Sequence, residues 1–512
     1  MNLLTDDWIP VRPQQSGAAR QINLQTLLCG GERWELTLPR DDMELAALQL
    51  LICIVQVLLP PADKKDWAER IAKPLSSETL DTAARDYQEW FQLNHKDYPF
   101  MQVKNVTATE RTSLDKLFTG LDTSTNSQFV NEPNLAENLC PSCVSIALFN
   151  YASTSPSFGG GFKYGIRSTC AVTTFARGQD LLSTIWLNIL TQDSLDEYNP
   201  GWKKIVCQPP TWVELVKEKS TIPAHKIGLL RGLLWQPGHI ELNDSVKSGA
   251  CSCCGQVSEK LYSNFNKAKF DYRIEGFWEH PHSPYSFTVK DGGRKIEYLR
   301  FSHAAPAWTQ LSSYIVKKDI SDDKGNEQGQ RPAMVIRQLK KYLPGNADKL
   351  ELLIGAYRNK SAKILERRHE LLMLNRGWET NSIIVHELVE HALKYKTALR
   401  NSLFTCSRKN KKNNPRLKIT GLPLHEIGET QFYRRSEDLM MRSLADIDFN
   451  NTLPTYLELD KQLKHICESI FTELTSPYEH DLELFRTLAI ARRSLQKDMK
   501  DVRIHELDED AA

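Results

Sequence analysis

The longest apolar run extends from Met43 to Leu59, broken only by Glu44, Gln49 and Gln56 before Pro60 and Pro61 stop it. A bilayer-spanning helix needs about 20 mostly apolar residues. The run therefore predicts a helix buried in a protein core. Asp41 and Asp42 precede it and cap it with negative charge at its N-terminus, where the helix dipole favours such charge. A second helical stretch, roughly 77–93, has Leu80, Ala84, Tyr87 and Phe91 at helical spacing. Residues 1–40 predict short strands and turns. From about 95 to 310 the runs are short and punctuated by Pro, Gly and Ser, while Phe287-Thr288-Val289 and Tyr298-Leu299-Arg300-Phe301 predict strands.

From about 363 the pattern changes to long apolar stripes at helical spacing. One follows Ile384, Leu388, His391, Tyr395, Leu399 and Leu403. A second follows Tyr456, Leu459, Leu463, Ile466, Ile470 and Leu474, and a third Leu484, Leu488, Ala491, Leu495 and Met499. Amphipathic helices with short connections predict an antiparallel bundle. The expected fold class is thus α+β: a large mixed N-terminal domain, residues 1–362, followed by a helical bundle, residues 363–512.

Composition narrows the function classes. The 512 residues carry 65 Lys+Arg against 64 Asp+Glu, a net charge of +1, with 41% hydrophobic residues. These values exclude intrinsic disorder and a uniformly basic nucleic-acid coat, so any basic surface must be a local patch. Eleven unevenly spaced cysteines do not make a disulfide scaffold. Asp6 and Asp7 interrupt the start before any apolar run. The expectation is a cytoplasmic protein with reduced thiols and no membrane association.

Cysteine supplies the sharpest local chemistry. Cys140-Pro-Ser-Cys143 and Cys251-Ser-Cys-Cys254 are two CxxC knuckles, together offering four thiolates suited to tetrahedral zinc. Such a site is closed to water and hence structural, and Cys253 is an alternative ligand. Two histidine motifs carry less. His386 and His391, around Glu387, are five positions apart rather than the four that a zinc-protease helix needs. His280-Pro-His282 reads as turn structure. Gly159-Gly160-Gly161 lacks a GK[ST] ending and a GxGxxG frame. It fits either a surface turn or a loop brought close to a nucleic-acid groove, with Lys163 and Arg167 as flanking cations. Further cations cluster at Lys267 and Lys269, and at Lys290, Arg294 and Lys295. Segment 396–442, which includes Arg408, Lys409, Lys411 and Lys412, holds eleven cations and four acids, a balance of 11 − 4 = +7.

Longer strings carry a resemblance. They include Trp8-Ile-Pro-Val-Arg-Pro13, Leu38-Pro-Arg-Asp-Asp-Met-Glu-Leu45, Phe158-Gly-Gly-Gly-Phe162, Gly232-Leu-Leu-Trp-Gln-Pro237, Cys251-Ser-Cys-Cys-Gly-Gln256 and Ile364-Leu-Glu-Arg-Arg-His369. Over nearly its whole length the chain resembles the CasA family, large subunits of the type I-E CRISPR surveillance complex Cascade. The resemblance implies a C-terminal four-helix bundle and a protein without catalysis of its own. It implies guide RNA, double-stranded target DNA and other Cascade subunits as partners, with a separate helicase-nuclease recruited after target binding. It further implies reading of a short adjacent DNA motif, the PAM, and opening of the duplex for guide pairing. Gly159, Gly160 and Gly161 match the family's PAM-facing loop and Lys269 its minor-groove lysine. Asn359, Lys360, Ser361 and Ala362 match the segment that contacts the PAM and wedges the strands apart. Phe129, Val130 and Asn131 match the loop that anchors the subunit near the guide RNA. Ser361 stands where family members carry a glutamine wedge. A serine is too short to fill a base-pair gap, which shifts that task to Lys360 or the neighbouring backbone.

Overall fold

The computed structural model describes all residues except 109–110, 120–135, 155, 159–160, 244–246, 291–292, 302–303, 323–324, 344–348, 361–362, 408–422, 483 and 503–512. The chain forms two compact units. One comprises residues 1–302, 317–342 and 352–371; the other comprises 303–316, 343–351 and 372–512.

The centre of the mixed unit is the helix Asp41–Leu58, in which nearly every side chain from Met43 onward is buried. Fully burying a Leu or Ile stabilises by about 1.5–3 kcal/mol, so this helix is the largest single contributor to the core. The two aspartates lie in its first turn, and Asp42 Oδ1 accepts from the Met43 amide at 2.9 Å. Around it stand small sheets rather than one large one. Ile9–Pro13 pairs antiparallel with Arg20–Ile22 and Trp34–Leu36. Tyr285–Lys290 pairs with Gly293–Tyr298 and Glu327–Arg331, and the latter with Lys318–Ser321. Leu350–Lys360 lies between Thr173–Arg177 and Lys363–Leu374. The predicted stretch 77–93 divides into an α-helix, Ser77–Ala84, and a 3₁₀ helix, Arg85–Phe91. Residues 299–301 lie outside the strands, which end at Tyr298.

Strands Leu350–Lys360 and Lys363–Leu374 form the hairpin that carries Asn359 and Lys360. Three residues before Lys360 it is tied to the central helix. The Tyr357 hydroxyl donates to Asp42 Oδ2 at 2.7 Å and accepts from Asn150 Nδ2 at 2.8 Å. Arg40 Nη2 reaches the same carboxylate at 2.6 Å. Burial pushes the Asp42 carboxyl up, but Arg40, Tyr357 and Arg367 outweigh it and hold the pKa below the usual carboxylate range. The bundle therefore starts later than the change of sequence character near 363: the first long helix begins at Ser382, because the alternating residues before it extend this hairpin.

The second unit is helical. Ser382–Ser407 packs on Leu424–Asp446, Leu453–Thr475 and Phe485–Val502, completing a four-helix bundle. Gly428 sits where a Cβ would lie 2.3 Å from Leu403 Cδ1, so glycine permits the close approach of those two helices. Among the described residues no helix is long and apolar enough to cross a membrane.

Candidate metal centre and nucleic-acid interface

Cys251 to Cys254 occupy the turn between the antiparallel strands Lys247–Ala250 and Val257–Leu261. The turn closes by Cys251 N–H to Gln256 C=O and Gly255 N–H to Cys251 C=O, both 2.9 Å, with Gly255 at φ +73°. Only glycine adopts that left-handed conformation at little cost. Cys140 immediately precedes the helix Pro141–Thr154, and Cys143 lies in its first turn. Two distant loops are then stitched together. Leu139 and Tyr262 exchange N–H···O bonds at 2.8 Å, and Ser252 N–H reaches Asn138 C=O at 2.8 Å.

The four sulfurs of Cys140, Cys143, Cys251 and Cys254 lie within 4.8 Å of one another, the one such metal-capable group among the described residues. Cys140 Sγ and Cys254 Sγ are 3.8 Å apart. A tetrahedral zinc with bonds of about 2.3 Å requires sulfur–sulfur edges of about 3.8 Å, so the donor set fits that ion. Backbone amides already face the sulfurs: Cys140 N–H to Cys251 Sγ at 3.3 Å and Cys143 N–H to Cys140 Sγ at 3.5 Å. Cys253 is buried nearby but is not one of the four. Hydrogen bonds among the thiols, Cys140 foremost, raise the pKa of Cys143 and lower those of Cys251 and Cys254. Four sulfurs at this spacing hold their negative charge only by sharing protons or a cation.

The glycine loop follows the same helix. Gly161 is exposed, at φ +87°, and a Cβ there would stand 2.9 Å from Lys269 Cδ. The structure thus brings two residues singled out in the sequence into contact, with the exposed Lys269 lying across the glycine. The loop is anchored by aromatic rings: Phe158 stacks on Tyr151 at 4.0 Å, and Lys267 Nζ lies 5.6 Å from both the Phe158 and Phe162 rings. The cations expected to flank the glycines are engaged elsewhere. Lys163 Nζ is 2.5 Å from Asp271. Arg167 is 1% exposed and donates to Ser153 O, Thr154 Oγ1, Thr173 Oγ1, Ser283 Oγ and Gln49 Oε1. Burial lowers its pKa to about 10, and neutral acceptors, those of Ser153 and Thr154 at the C-terminal end of the helix Pro141–Thr154, take the place of a carboxylate. Arg167 pins the end of the loop and does not reach solvent; its flanking role is corrected to an internal one.

Asn359 is half-buried and Lys360 exposed at the end of their strand, while Ser361 and Ala362 lie outside the described residues. So do Gly159, Gly160, Phe129, Val130, Asn131, Arg408, Lys409, Lys411 and Lys412. Lys290 and Lys295 are exposed on the hairpin Tyr285–Tyr298, with Lys295 3.1 Å from Glu297, and Arg294 packs 4.9 Å over the Phe287 ring. In the bundle, Lys396 and Arg400 both turn to Glu429, and Arg435 to Glu473. The histidines of the protease-like motif have other partners. His391 Nε2 is 2.6 Å from the buried Asp460, which also accepts from Tyr395 Oη, and His386 Nδ1 is 2.7 Å from Ser312 Oγ. His280-Pro-His282 forms a turn, with Ser283 N–H on His280 C=O at 3.2 Å, and both histidines are buried there, which holds their pKa values well below the usual range.

The family model described as CRISPR-associated protein Cse1 matches residues 2–470. Solved structures agree in fold. Cse1 from Acidimicrobium ferrooxidans is 15% identical, with a TM-score of 0.71 and 98% of each chain covered. Thermus thermophilus CasA (Cse1) is 14% identical, with a TM-score of 0.67 over 97% of this chain and 99% of that one. A chain described as part of a CRISPR RNA-guided surveillance complex is also 14% identical, with a TM-score of 0.68 over 97% of this chain and 99% of that one.

Proposed function

Since the chain belongs to the CRISPR-associated Cse1 family, also called CasA, we propose that it is a non-catalytic subunit of an RNA-guided DNA surveillance complex. In that complex it reads the PAM from the minor groove, helps open the duplex and supports recruitment of a helicase-nuclease. The observation that carries this reading is the exposed contact between Gly161 and Lys269. A glycine in left-handed conformation brings backbone to a surface without a side chain in the way, and the lysine beside it adds one cation. The minor groove presents a degenerate donor and acceptor pattern. Backbone and a single lysine suit permissive reading there better than a recognition helix. The cysteine cluster takes one structural zinc, which clamps the start of the helix leading into the glycine loop. Its four ligands leave no open position for water.

The test uses the complex assembled on guide RNA and matched duplexes with and without a permissive PAM, at one salt concentration. Gly161→Asp forces a strained backbone, displaces Lys269 and adds a charge repelled by phosphate. It is expected to weaken binding of the permissive duplex roughly tenfold or more, about 1.4 kcal/mol, with assembly intact. Lys269→Ala, which leaves the loop alone, should weaken it less. Equal loss on both duplexes, or failure to assemble, would make the loop structural and remove PAM reading from it.

A further inference from the structure

Beyond the contact of Gly161 with Lys269, both chain segments continue into one open cleft. Its walls are residues 163–166, 219–221 and 271–274. Lys163, Lys219 and Arg273 line it against a single acid, Asp271. Lys163 occupies that acid at 2.5 Å. Lys219 and Arg273 are exposed; the charge of Lys219 also helps to lower the pKa of Asp271, after that of Lys163, without a direct ion pair. Tyr164 projects at the same place with 50% of its surface exposed.

The backbone at Lys219 is a second, independent observation. Its φ is +59°, a left-handed conformation that a residue with a Cβ disfavours. It is held there from both sides. Lys219 N–H donates to Asp271 C=O at 2.6 Å, and Arg273 N–H donates to Ser220 C=O at 2.9 Å. The parallel pairing of Arg273 with Thr221 continues the clamp. Strain of this kind persists where the surroundings over-determine it, and it concentrates where a side chain must be aimed at a ligand. Here it fixes a lysine beside an arginine, a tyrosine and the Thr221 hydroxyl, while the Ser220 hydroxyl is spent on Lys217 C=O at 2.5 Å. Those are the side-chain types that bond phosphate oxygens of a nucleic-acid backbone.

We propose that this cleft receives the sugar–phosphate backbone of the duplex DNA flanking the PAM, with Lys219 and Arg273 on phosphate oxygens and the Tyr164 hydroxyl on a neighbouring one. The proposal rests on the reading of Gly161 and Lys269 as a DNA contact, whose segments lead directly into the cleft. It adds affinity without sequence information, since phosphate contacts position a protein and do not read bases.

The decisive variant is Lys219→Gly with Arg273→Ala, tested in the complex assembled on guide RNA. Glycine adopts the left-handed backbone without strain, so the cation is removed while the local fold is kept. An undiminished thermal midpoint verifies this. The dissociation constant of a matched duplex with a long flank is followed over a salt series. With two phosphates no longer neutralised, the log-affinity against log-salt slope should flatten by about 1.8. A duplex cut off at the PAM should show no change, and the ratio between permissive and non-permissive PAMs should stay as in the parent. Lys219→Arg should retain the parent slope. An unchanged slope in the double variant overturns the proposal. So does an equal loss on the truncated duplex, or weakened assembly on guide RNA, which would place these cations on RNA. Failure of the Gly161–Lys269 reading would instead appear in the permissive-to-non-permissive ratio.

Discussion

Cys140 and Cys254 are 114 positions apart in the chain and 3.8 Å apart at their sulfurs. Lys396 and Arg400 lie one helical turn apart, and both turn to the same Glu429. Each region stands out in the sequence as an accumulation of one residue type. In the mixed unit the accumulation converges on a point; in the bundle Lys396, Arg400 and Arg435 each turn to a neighbouring acid. Chemistry accounts for the difference. Four sulfurs within 4.8 Å of one another must share protons or a cation, and their spacing matches the tetrahedral edge that zinc requires. A lysine on a helix finds acids everywhere, and such pairs form for modest gain. The +7 balance of segment 396–442 already counts Glu429 against Lys396 and Arg400, and Glu473, outside the segment, offsets Arg435 as well.

The most severe way to break the comparison is to remove the metal. The purified protein is expected to carry close to one equivalent of zinc. Zinc at comparable sites contributes about 10–16 kcal/mol of apparent binding energy in small peptides, so chelation or Cys254→Ser should open both loops. Hydrogen exchange should rise at residues 138–143 and 251–256, while the bundle helices keep their protection. Metal analysis that finds no zinc would end the idea.

A smaller effect sets Lys411 and Lys412, outside the described residues, against a cation that is paired. Lys411→Ala with Lys412→Ala, in the assembled complex, should flatten the salt slope of DNA binding by about 0.7 to 0.9 for each phosphate no longer neutralised. Lys396→Ala should leave that slope as it was, because Lys396 is already committed to Glu429. Equal slopes for the two variants would erase the distinction between those positions.

The same contrast explains what was legible in the sequence. The buried helix and three of the four bundle helices followed from unbroken apolar spacing. The fourth, Leu424–Asp446, escaped because its buried face includes Gly428 and Ser436 alongside Phe432 and Met440. Small residues there serve close packing, which hydropathy does not register. The paired CxxC motifs named all four sulfurs, although nothing in their spacing said which backbone bonds would join the loops. Arg167 was misplaced because an arginine after three glycines reads as a surface cation, and only the packed structure shows five neutral acceptors around it. Lys219 carries no sequence signal at all, since its left-handed backbone is imposed by Asp271 and Arg273 from another part of the chain. The glycine and Lys269 were named by the resemblance, and the structure adds their mutual contact.

The smallest effect tests whether a paired cation in the bundle behaves as paired. Arg435 Nη2 is 2.5 Å from Glu473 Oε2, and Ser469 Oγ donates to Glu473 Oε1 at 2.9 Å. Arg435 first, and then Ser469, hold the Glu473 carboxyl at about 2, below the roughly 4.3 of an unfolded glutamate. A group whose folded pKa is depressed stabilises above its unfolded value, and that contribution is lost as pH falls through the folded value. The parent should therefore exceed Glu473→Gln in unfolding stability above about pH 4.3, and the two should converge as pH falls towards 2. Acid also protonates the cysteine thiolates and releases metal, but it does so in both proteins and cancels in the difference. Both partners are partly exposed, 34% for Arg435 and 51% for Glu473, so the gap should be slight and should shrink in 1 M salt, where screening acts within about 3 Å. A gap that widens on acidification would show that Glu473 is stabilised in its protonated form, and the pairing that neutralises this part of the bundle would have to be given up.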